Sequence, residues 1–360
     1  MKAFIIILSV TISIVGYSQT NWSNSSTGVS PDFITRAFIP NGTSELYAIG
    51  DSIDGSLAVS LGRIIKTSDD GNSWTSVVTN GLPNGEGSYS AGVNTGTQFL
   101  IHAQDGTTKG IFASTDMVNW SLSNNGIPTT FQVEDFIVVS TSEIYALGWG
   151  PGPTPLIYKS TDGGSNWASV STSGLPVADN RCRAGVYMDQ SMLLSTSDTW
   201  TSGSSVYGAS NGQSWSVLSA NLASEFEIFD FEKLSSTAVW AIGTQFSSLV
   251  PSGGYIYEST DGGVSWSLGS HTGFGGNDLY FYAMGTFGNY HFISVYDDFT
   301  GSYIYRTGST TDVETNAGVS ESKELVMITD LIGREVGFKA NQVQLYVYDN
   351  GTVERKLSVK

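Results

Sequence analysis

The chain has 360 residues, of which 33 are acidic and 16 are Lys or Arg, so its formal net charge is −17. Such a surface repels phosphate backbones, which excludes nucleic acid as the expected partner. The 42 glycines, 12% aromatic residues and few charged residues indicate a turn-rich, all-β protein rather than a disordered one. The acidic surface is explained by solubility after export, and calcium binding is the alternative.

Residues 1–18 have the pattern of an export signal. Lys2 supplies a positive charge, residues 4–15 are mostly apolar, and residues 16–18 form a small-residue cleavage site. The apolar run is too short for a bilayer, and no other stretch approaches the ~20 residues that a span needs. We therefore expect a mature protein that is secreted or attached to the outer cell surface, without a membrane-spanning segment.

Cys182 is the only cysteine, so no disulfide can form within the chain. A body of about 290 residues is large enough to be stable without one. We expect Cys182 to be a buried small hydrophobic residue, and a reactive thiol is the alternative.

One eight-residue phrase recurs along the chain. Intact copies span Thr67–Trp74, Ser160–Trp167 and Ser259–Trp266. Two incomplete copies, which lack part of the phrase, end at Trp120 and Trp215. The five tryptophans lie 46, 47, 48 and 51 residues apart. A fixed period in this range is typical of a stacked or radial repeat fold.

Three further segments recur in every unit, and each has six copies. Short apolar strands such as Ile64–Lys66 lie directly before the phrase, and segments such as Tyr47–Gly50 lie earlier. Each unit opens with a third segment such as Phe33–Ile39. Four strands per ~48 residues are typical of one propeller blade.

The ends of the repeat region predict how the ring closes. Trp22 is followed by a segment that echoes the one after Trp74, while the sixth unit, at Ile304–Arg306, has no complete phrase after it. Pairing these two orphan strands closes the ring and removes exposed sheet edges. The sequence therefore predicts an all-β, six-bladed β-propeller over residues 19–310.

The phrase Ser/Thr-x-Asp-x-Gly-x-x-Trp resembles the Asp-box of the sialidase-like (BNR), sortilin-like and photosystem-assembly-factor β-propellers. In those families the box is a rim hairpin away from the functional face, which implies a structural role here. The side chains suit this role, because Ser, Thr and Asp bind turn amides, Gly permits positive φ and Trp packs on a strand. The structural residues are Thr67, Asp69, Gly71, Trp74, Ser160, Asp162, Gly164, Trp167, Ser259, Asp261, Gly263 and Trp266.

Function in propellers resides on the opposite face, in the irregular loops. Exposed Trp beside carboxylates is typical of a carbohydrate-stacking surface, since flat sugar faces pack on aromatic rings. The alternative is that these tryptophans pack against their own loops. The candidate ligand-binding residues are Trp149, Trp200, Arg36, Arg181, Tyr296 and Asp297.

The residues needed for catalysis are present only in part. A sialidase needs three arginines, a Tyr nucleophile with a Glu partner and an Asp acid/base, but the inner strands offer only Arg36 with Arg181 or Arg183. Other glycosidases need two carboxylates. No zinc or Ser–His motif is recognisable, so we expect neither a metal site nor a cofactor. The carboxylates on or beside innermost strands are Asp135, Asp230 and Asp278.

The sequence changes character after Thr311. Residues 311–324 are rich in Ser, Thr, Asn and Glu and are interpreted as a linker. Residues 325–360 contain alternating strands and a hairpin turn. Asp330–Val336 and Arg355–Lys360 resemble the C-terminal sorting domain of the type IX secretion system of Bacteroidetes, which implies recognition by secretion machinery. An unrelated accessory hairpin is the alternative.

These features favour a secreted or cell-surface propeller that binds a glycan or an extracellular protein and is exported by a type IX-like route. A glycoside hydrolase, sialidase-like or another exo-glycosidase, is the alternative on the same scaffold. A scaffold protein of the assembly-factor type is a third possibility. The fold alone does not decide among them, because propellers host many unrelated functions.

Overall fold

The structure is a computed structural model, which describes residues 20–53, 60–152, 154–177, 180–198, 203–210, 212–247, 250–274, 279–297, 300–307, 325–329, 343–348 and 353–357. Over these ranges all regular secondary structure is β-strand, and no helix is long and apolar enough to cross a membrane. The predicted export signal, residues 1–18, and linker, residues 311–324, lie outside the described residues. The chain divides into two compact units, Met1–Thr310 and Thr311–Lys360.

The first unit is a six-bladed propeller of antiparallel sheets, so the predicted fold is confirmed. Its strands are β1 (Thr20–Asn24), β2 (Phe33–Asn41), β3 (Glu45–Ile53), β4 (Ser60–Thr67), β5 (Thr75–Ser76), β6 (Gly87–Asn94), β7 (Phe99–Asp105), β8 (Lys109–Ser114), β9 (Ser121–Leu122), β10 (Gln132–Val138), β11 (Ile144–Gly150), β12 (Thr154–Ser160), β13 (Ala168–Ser169), β14 (Asn180–Tyr187), β15 (Met192–Asp198), β16 (Ser204–Ala209), β17 (Ser216–Val217), β18 (Phe226–Lys233), β19 (Val239–Ser247), β20 (Val250–Ser259), β21 (Ser267–Leu268), β22 (His271–Thr272), β23 (Leu279–Phe287), β24 (Tyr290–Asp297) and β25 (Gly301–Thr307).

Consecutive strands β2–β5, β6–β9, β10–β13, β14–β17 and β18–β21 form five of the blades. The sixth blade combines β23, β24 and β25 with the N-terminal β1. Trp22 of β1 lies opposite Thr307 of β25, and Asn24 lies opposite Tyr305. The ring is therefore closed by the strand that the sequence predicts, and the first strand of each blade surrounds the central channel beside its neighbours.

The core consists of six apolar clusters, one between each pair of adjacent blades. The second strand of a blade is covered on both faces, which is why β7 begins as an unbroken apolar and buried run. Cys182 is fully buried in one cluster, as predicted, and burial raises the pKa of its thiol to about 12. Each cluster contains one repeat tryptophan: Trp22, Trp74, Trp120, Trp167, Trp215 or Trp266.

The recurring phrase forms the hairpin between the third and fourth strands of a blade. The hydroxyl of Thr67 donates to Asp69 at 2.7 Å and accepts the Gly71 N–H at 2.9 Å. The carboxylate of Asp69 accepts the Ser73 N–H at 2.9 Å, and hydrogen bonds from Ser73 lower its pKa to about 2. The same bonds recur in the copies that begin at Ser160 and Ser259. Each aspartate is thus ionised, and its carboxylate oxygens accept hydrogen bonds from the residues of its own turn.

A second repeated feature links neighbouring blades. The backbone N–H of Trp167 donates to the carbonyl of Asn125, and a Cβ on the next residue, Gly126, would stand 1.9 Å from the Trp167 oxygen. Glycine suits this position because it has no Cβ and adopts the observed φ of +90° without strain. Asn221, with φ +67°, takes the same place beside Trp266. The other glycine–tryptophan contacts are Gly28–Trp74, Gly81–Trp120, Gly174–Trp215 and Gly273–Trp22.

The second unit contains a three-stranded antiparallel sheet in the order β26, β27, β28. These strands are β26 (Leu325–Thr329), β27 (Val343–Tyr348) and β28 (Val353–Leu357). The predicted hairpin turn and the segment Asp330–Val336 lie outside the described residues.

Candidate functional site

Every innermost strand begins at the end of the propeller opposite the recurring phrase, and this end of the channel is called the mouth here. Each of these strands carries a β-bulge at the same place, with one residue left unpaired. All six bulged residues keep partial exposure, although the residue before each one is buried. A bulge re-aims a side chain, so these residues face the channel. They are Arg36, Ser90, Glu134, Arg183, Phe229 and Tyr282, and we call them the bulge ring.

The members of the bulge ring contact one another around the channel. The guanidinium carbon of Arg36 lies 4.7 Å from the ring centroid of Tyr282, whose ring lies 5.2 Å from Phe229. The guanidinium carbon of Arg183 lies 4.3 Å from the ring centroid of Phe229, and Arg183 donates to Glu134 at 2.9 Å. Side chains from five strands therefore form one continuous layer across the mouth.

A network of charges lies on one side of the mouth. Glu134 accepts hydrogen bonds from the indole of Trp149 at 2.8 Å and from Arg183 at 2.9 Å. Glu227 accepts one from Arg181 at 3.2 Å and lies 3.6 Å from Nε of Arg183. The four charged side chains are only 10–19% exposed. Largely buried, charge-assisted pairs of this kind hold their groups in fixed positions.

Aromatic residues form the opposite side of the mouth. The rings of Tyr280 and Tyr282 are parallel within 4° at a centroid distance of 5.9 Å, and Tyr296 lies 6.2 Å from Tyr280. Phe229 meets Tyr282 edge-on and connects this aromatic wall to Arg183. Tyr280, Tyr282, Tyr296 and Phe229 all keep partial exposure.

Two of the predicted carboxylates lie just below the bulge ring. Asp135 follows Glu134, and its Oδ2 accepts the N–H of Gly185 in the next blade at 2.8 Å. Asp230 makes the equivalent bond to the N–H of Met284 at 2.8 Å. Both carboxyls therefore tether neighbouring innermost strands. The other four blades have alanine at this position, namely Ala37, Ala91, Ala184 and Ala283.

The interior of the channel favours the protonated form of these acids. Burial raises the pKa of Asp135, and the charge of Asp230 raises it further. Burial likewise raises the pKa of Asp230. Glu232, farther along the same strand, receives a hydrogen bond from the hydroxyl of Thr286, and burial raises its pKa to about 7. Raised carboxyl pKa values are typical of functional sites, but structural networks also produce them.

The structure brings together some of the predicted ligand-binding residues and not others. Trp149 and Arg181 belong to the charge network, and Tyr296 to the aromatic wall. Arg36 stacks on the aromatic wall and pairs with Asp51 at 3.2 Å. Asp297 is buried and accepts the N–H of Thr300 at 3.2 Å, which favours a structural role in its hairpin. Trp200 and Asp278 lie outside the described residues.

Sequence reasoning missed Glu134, Phe229 and Tyr282, because nothing in the local pattern marks a bulge. It also missed Glu227, which lies two residues before the bulge of its strand. It also left the histidines without a partner, whereas His102 contacts the hydroxyl of Ser90 through Nδ1 at 2.7 Å. Burial lowers the pKa of His102 to about 3, and its Nε2 has no hydrogen-bond partner in the described structure. Over the described ranges, no group of three or more His, Cys, Asp or Glu side chains is placed to hold a metal ion.

Residues 55–319 match the family model of the DUF6242 beta propeller domain. No curated protein matches the sequence. Solved structures with a similar fold include a Trypanosoma rangeli sialidase, with 10% identity and a TM-score of 0.55 over 78% of this chain and 54% of the sialidase. A Penicillium chrysogenum α-L-arabinanase has 13% identity and a TM-score of 0.53 over 81% of this chain and 98% of that one.

The Niastella koreensis GH74 enzyme has 15% identity and a TM-score of 0.51 over 90% of this chain and 51% of the enzyme. The chain thus spans about half the length of the GH74 enzyme and of the sialidase. At these identities the likeness shows that the propeller fold is shared with glycoside hydrolases, and no more.

Proposed function

We propose that this chain, which belongs to the family of the DUF6242 beta propeller domain, is an extracellular binding module that holds a glycan at the channel mouth. One observation carries the proposal: the charge network and the aromatic wall meet at Arg183. Its guanidinium binds Glu134, reaches Glu227 and lies 4.3 Å from the centroid of Phe229. A sugar ring binds to such a surface through its hydroxyl groups, which form hydrogen bonds with the polar side chains, and through its C–H face, which packs on the aromatic rings.

Sugar chemistry matches this arrangement in two ways. Each sugar hydroxyl both donates and accepts, and at the mouth the donors of Arg181 and Arg183 alternate with the acceptors of Glu134 and Glu227. The C–H faces of a sugar ring pack on aromatic side chains. Because the ion pairs already fix the four side chains, binding costs little rotamer entropy.

The proposal includes export. Residues 1–18 supply the signal pattern, and Asp330–Val336 with Arg355–Lys360 supply the resemblance to a type IX sorting domain. The hydrogen bonds of the recurring phrase support its identification as an Asp-box. The tail would then address the protein to the secretion machinery and to a secreted or cell-surface location.

A glycoside hydrolase is the second candidate. It is favoured by the position of Glu134 and Glu227, two carboxylates held around the guanidinium of Arg183 beside aromatic rings. A sialidase is disfavoured, because its arginines must be available to clamp the carboxylate of the substrate. Here Arg36, Arg181 and Arg183 each pair with a carboxylate of the chain itself.

A glycan array with the full chain tests the proposal, followed by calorimetry and a reducing-sugar assay on every hit. We expect binding without turnover. Arg183→Ala should weaken binding at least about tenfold, since it removes the group that orders the network. Arg63→Ala is the matched control, because Arg63 is exposed on β4 outside the charge network. Turnover of a hit would establish the hydrolase, and a chain that binds no glycan would contradict the proposal.

A further inference from the structure

The charges at the mouth are balanced by pairing within the chain. Arg36 lies 3.2 Å from Asp51, Arg181 lies 3.2 Å from Glu227, and Arg183 lies 2.9 Å from Glu134. Each cation therefore has its own carboxylate at hydrogen-bond distance. No member of these three pairs is left to attract a charged ligand.

Three further ionisable groups lie near these pairs. Lys109 of β8 interacts electrostatically with Glu134, and burial lowers the pKa of its ammonium group. Below the ring, burial raises the pKa values of Asp135 and Asp230, which favours their neutral forms. In the described part of the chain, the three arginines at the mouth are thus each matched by a carboxylate, within a chain whose net charge is −17.

We infer that the mouth selects uncharged oligosaccharides and rejects acidic ones, an inference that rests on the glycan-binding function proposed above. An acidic ligand would place a further carboxylate beside Glu227 or Glu134, where it would either be repelled by that group or displace it from its arginine and leave it without a cation. The negative field of the whole protein would also repel acidic polysaccharides before they reach the mouth.

A neutral sugar can bind without breaking any of these pairs. A guanidinium has five N–H donors, and the bonds described to Glu134, Glu227 and Ser197 use only some of those on Arg181 and Arg183. Each carboxylate also has spare lone pairs that can accept from sugar hydroxyls. Arg183 is thus the residue that donates hydrogen bonds to the sugar hydroxyls, and its ion pairs produce the preference for an uncharged ligand.

The test compares neutral and acidic probes on the full chain by calorimetry. The neutral probes are cellohexaose, xylohexaose, mannohexaose and arabinohexaose, and the acidic probes are hexagalacturonate, sialyllactose and a heparin hexasaccharide. We expect at least one neutral probe to bind about tenfold or more tightly than every acidic probe. Its affinity should also change less than about twofold between low and high salt, because no net charge is neutralised on binding.

Glu227→Gln provides the decisive variant, because it keeps the shape of the side chain and removes the charge that balances Arg181. We expect the ratio of the affinity for the neutral probe to the affinity for the acidic probes to fall at least about threefold in this variant. Asp189→Asn is the matched control, since it removes one negative charge at the exposed ion pair with Lys233, beyond the far end of β14. Thermal melting of both variants checks that they fold.

Three outcomes would overturn the inference, and they can be distinguished from one another. A wild-type chain that binds acidic probes more tightly than neutral ones would refute the selectivity and leave the glycan-binding function standing. A chain that binds none of the seven probes, and no glycan on the array, would refute the glycan-binding function together with the selectivity. An equal effect of Glu227→Gln and Asp189→Asn would show that long-range charge, and not the network at the mouth, sets the preference.

Discussion

Glu232→Gln should make the protein more stable at neutral pH, although it removes a charged side chain. Glu232 lies on innermost strand β18, and its carboxyl accepts a hydrogen bond from the hydroxyl of Thr286. No ion pair with Glu232 is present in the described part of the chain, and burial raises its pKa from 4.5 to about 7. The amide of Gln keeps an oxygen for Thr286 and has no proton to lose.

The magnitude follows from the linkage between the pKa and folding. The carboxyl ionises near 4.5 in the unfolded chain and near 7 in the folded one, so the unfolded state loses its proton first as the pH rises. The folded wild type therefore loses stability between these values, by about 1 kcal/mol at pH 5 and about 3 kcal/mol at pH 8. Channel water screens part of this cost, and we expect Glu232→Gln to gain about 2 kcal/mol relative to wild type between pH 5 and pH 8.

Urea unfolding followed by tryptophan fluorescence at several pH values measures the effect. Glu45→Gln is the control, because a hydrogen bond from Lys66 lowers the pKa of Glu45. The change in stability on substitution should therefore have the opposite sign. That variant should lose stability relative to wild type at neutral pH, and the loss should disappear as the pH falls through the pKa of Glu45. A difference between Glu232→Gln and wild type that stays constant with pH would refute the reasoning.

Two further predictions concern the propeller body. Gly126→Ala should destabilise the fold by about 3 kcal/mol or more, because its Cβ would stand 1.9 Å from the Trp167 carbonyl oxygen at a φ of +90°. Gly152→Ala, at +76° with no atom within 4 Å, should cost only the backbone strain of about 1 kcal/mol in the same denaturation assay. Cys182 should not react with a thiol reagent in the native protein and should react fully in denaturant, because it is buried and its thiol pKa is raised to about 12. A native chain modified at the rate of free cysteine would show that this strand opens.

The fold could be predicted from the sequence because each of its determinants is local or periodic. The spacing of Trp74, Trp120, Trp167, Trp215 and Trp266 gives the size of a blade. Closure of the ring was also predictable, because an unpaired strand at each end of a repeat array has one obvious partner. Both features follow from the need of every blade to bury the same apolar face.

The candidate site was less predictable, because bulges and ion pairs depend on how the strands register. Arg36 and Arg183 occupy bulges, and a shift of one residue would turn either side chain into the core. The position of Asp297 depends on the strands in the same way, since the end of β24 brings its carboxylate within 3.2 Å of the Thr300 N–H. The type of a residue indicates whether it is suitable for binding a ligand, but the backbone conformation determines where its side chain points.

The sequence nevertheless contains a signal that would have found the charge network. Glu134 and Arg183 are 49 residues apart, and Arg181 and Glu227 are 46 apart. These separations fall within the 46–51 residues that separate the repeat tryptophans, because residues one period apart occupy the same position in adjacent blades. A charged residue on one innermost strand therefore lies beside the residue of the next innermost strand that is one period further along the chain. Opposite charges at that spacing predict an ion pair between adjacent blades at the mouth. The two pairs found here are connected by Arg183, whose Nε lies 3.6 Å from Glu227, and together they form the paired surface on which the proposed selectivity depends.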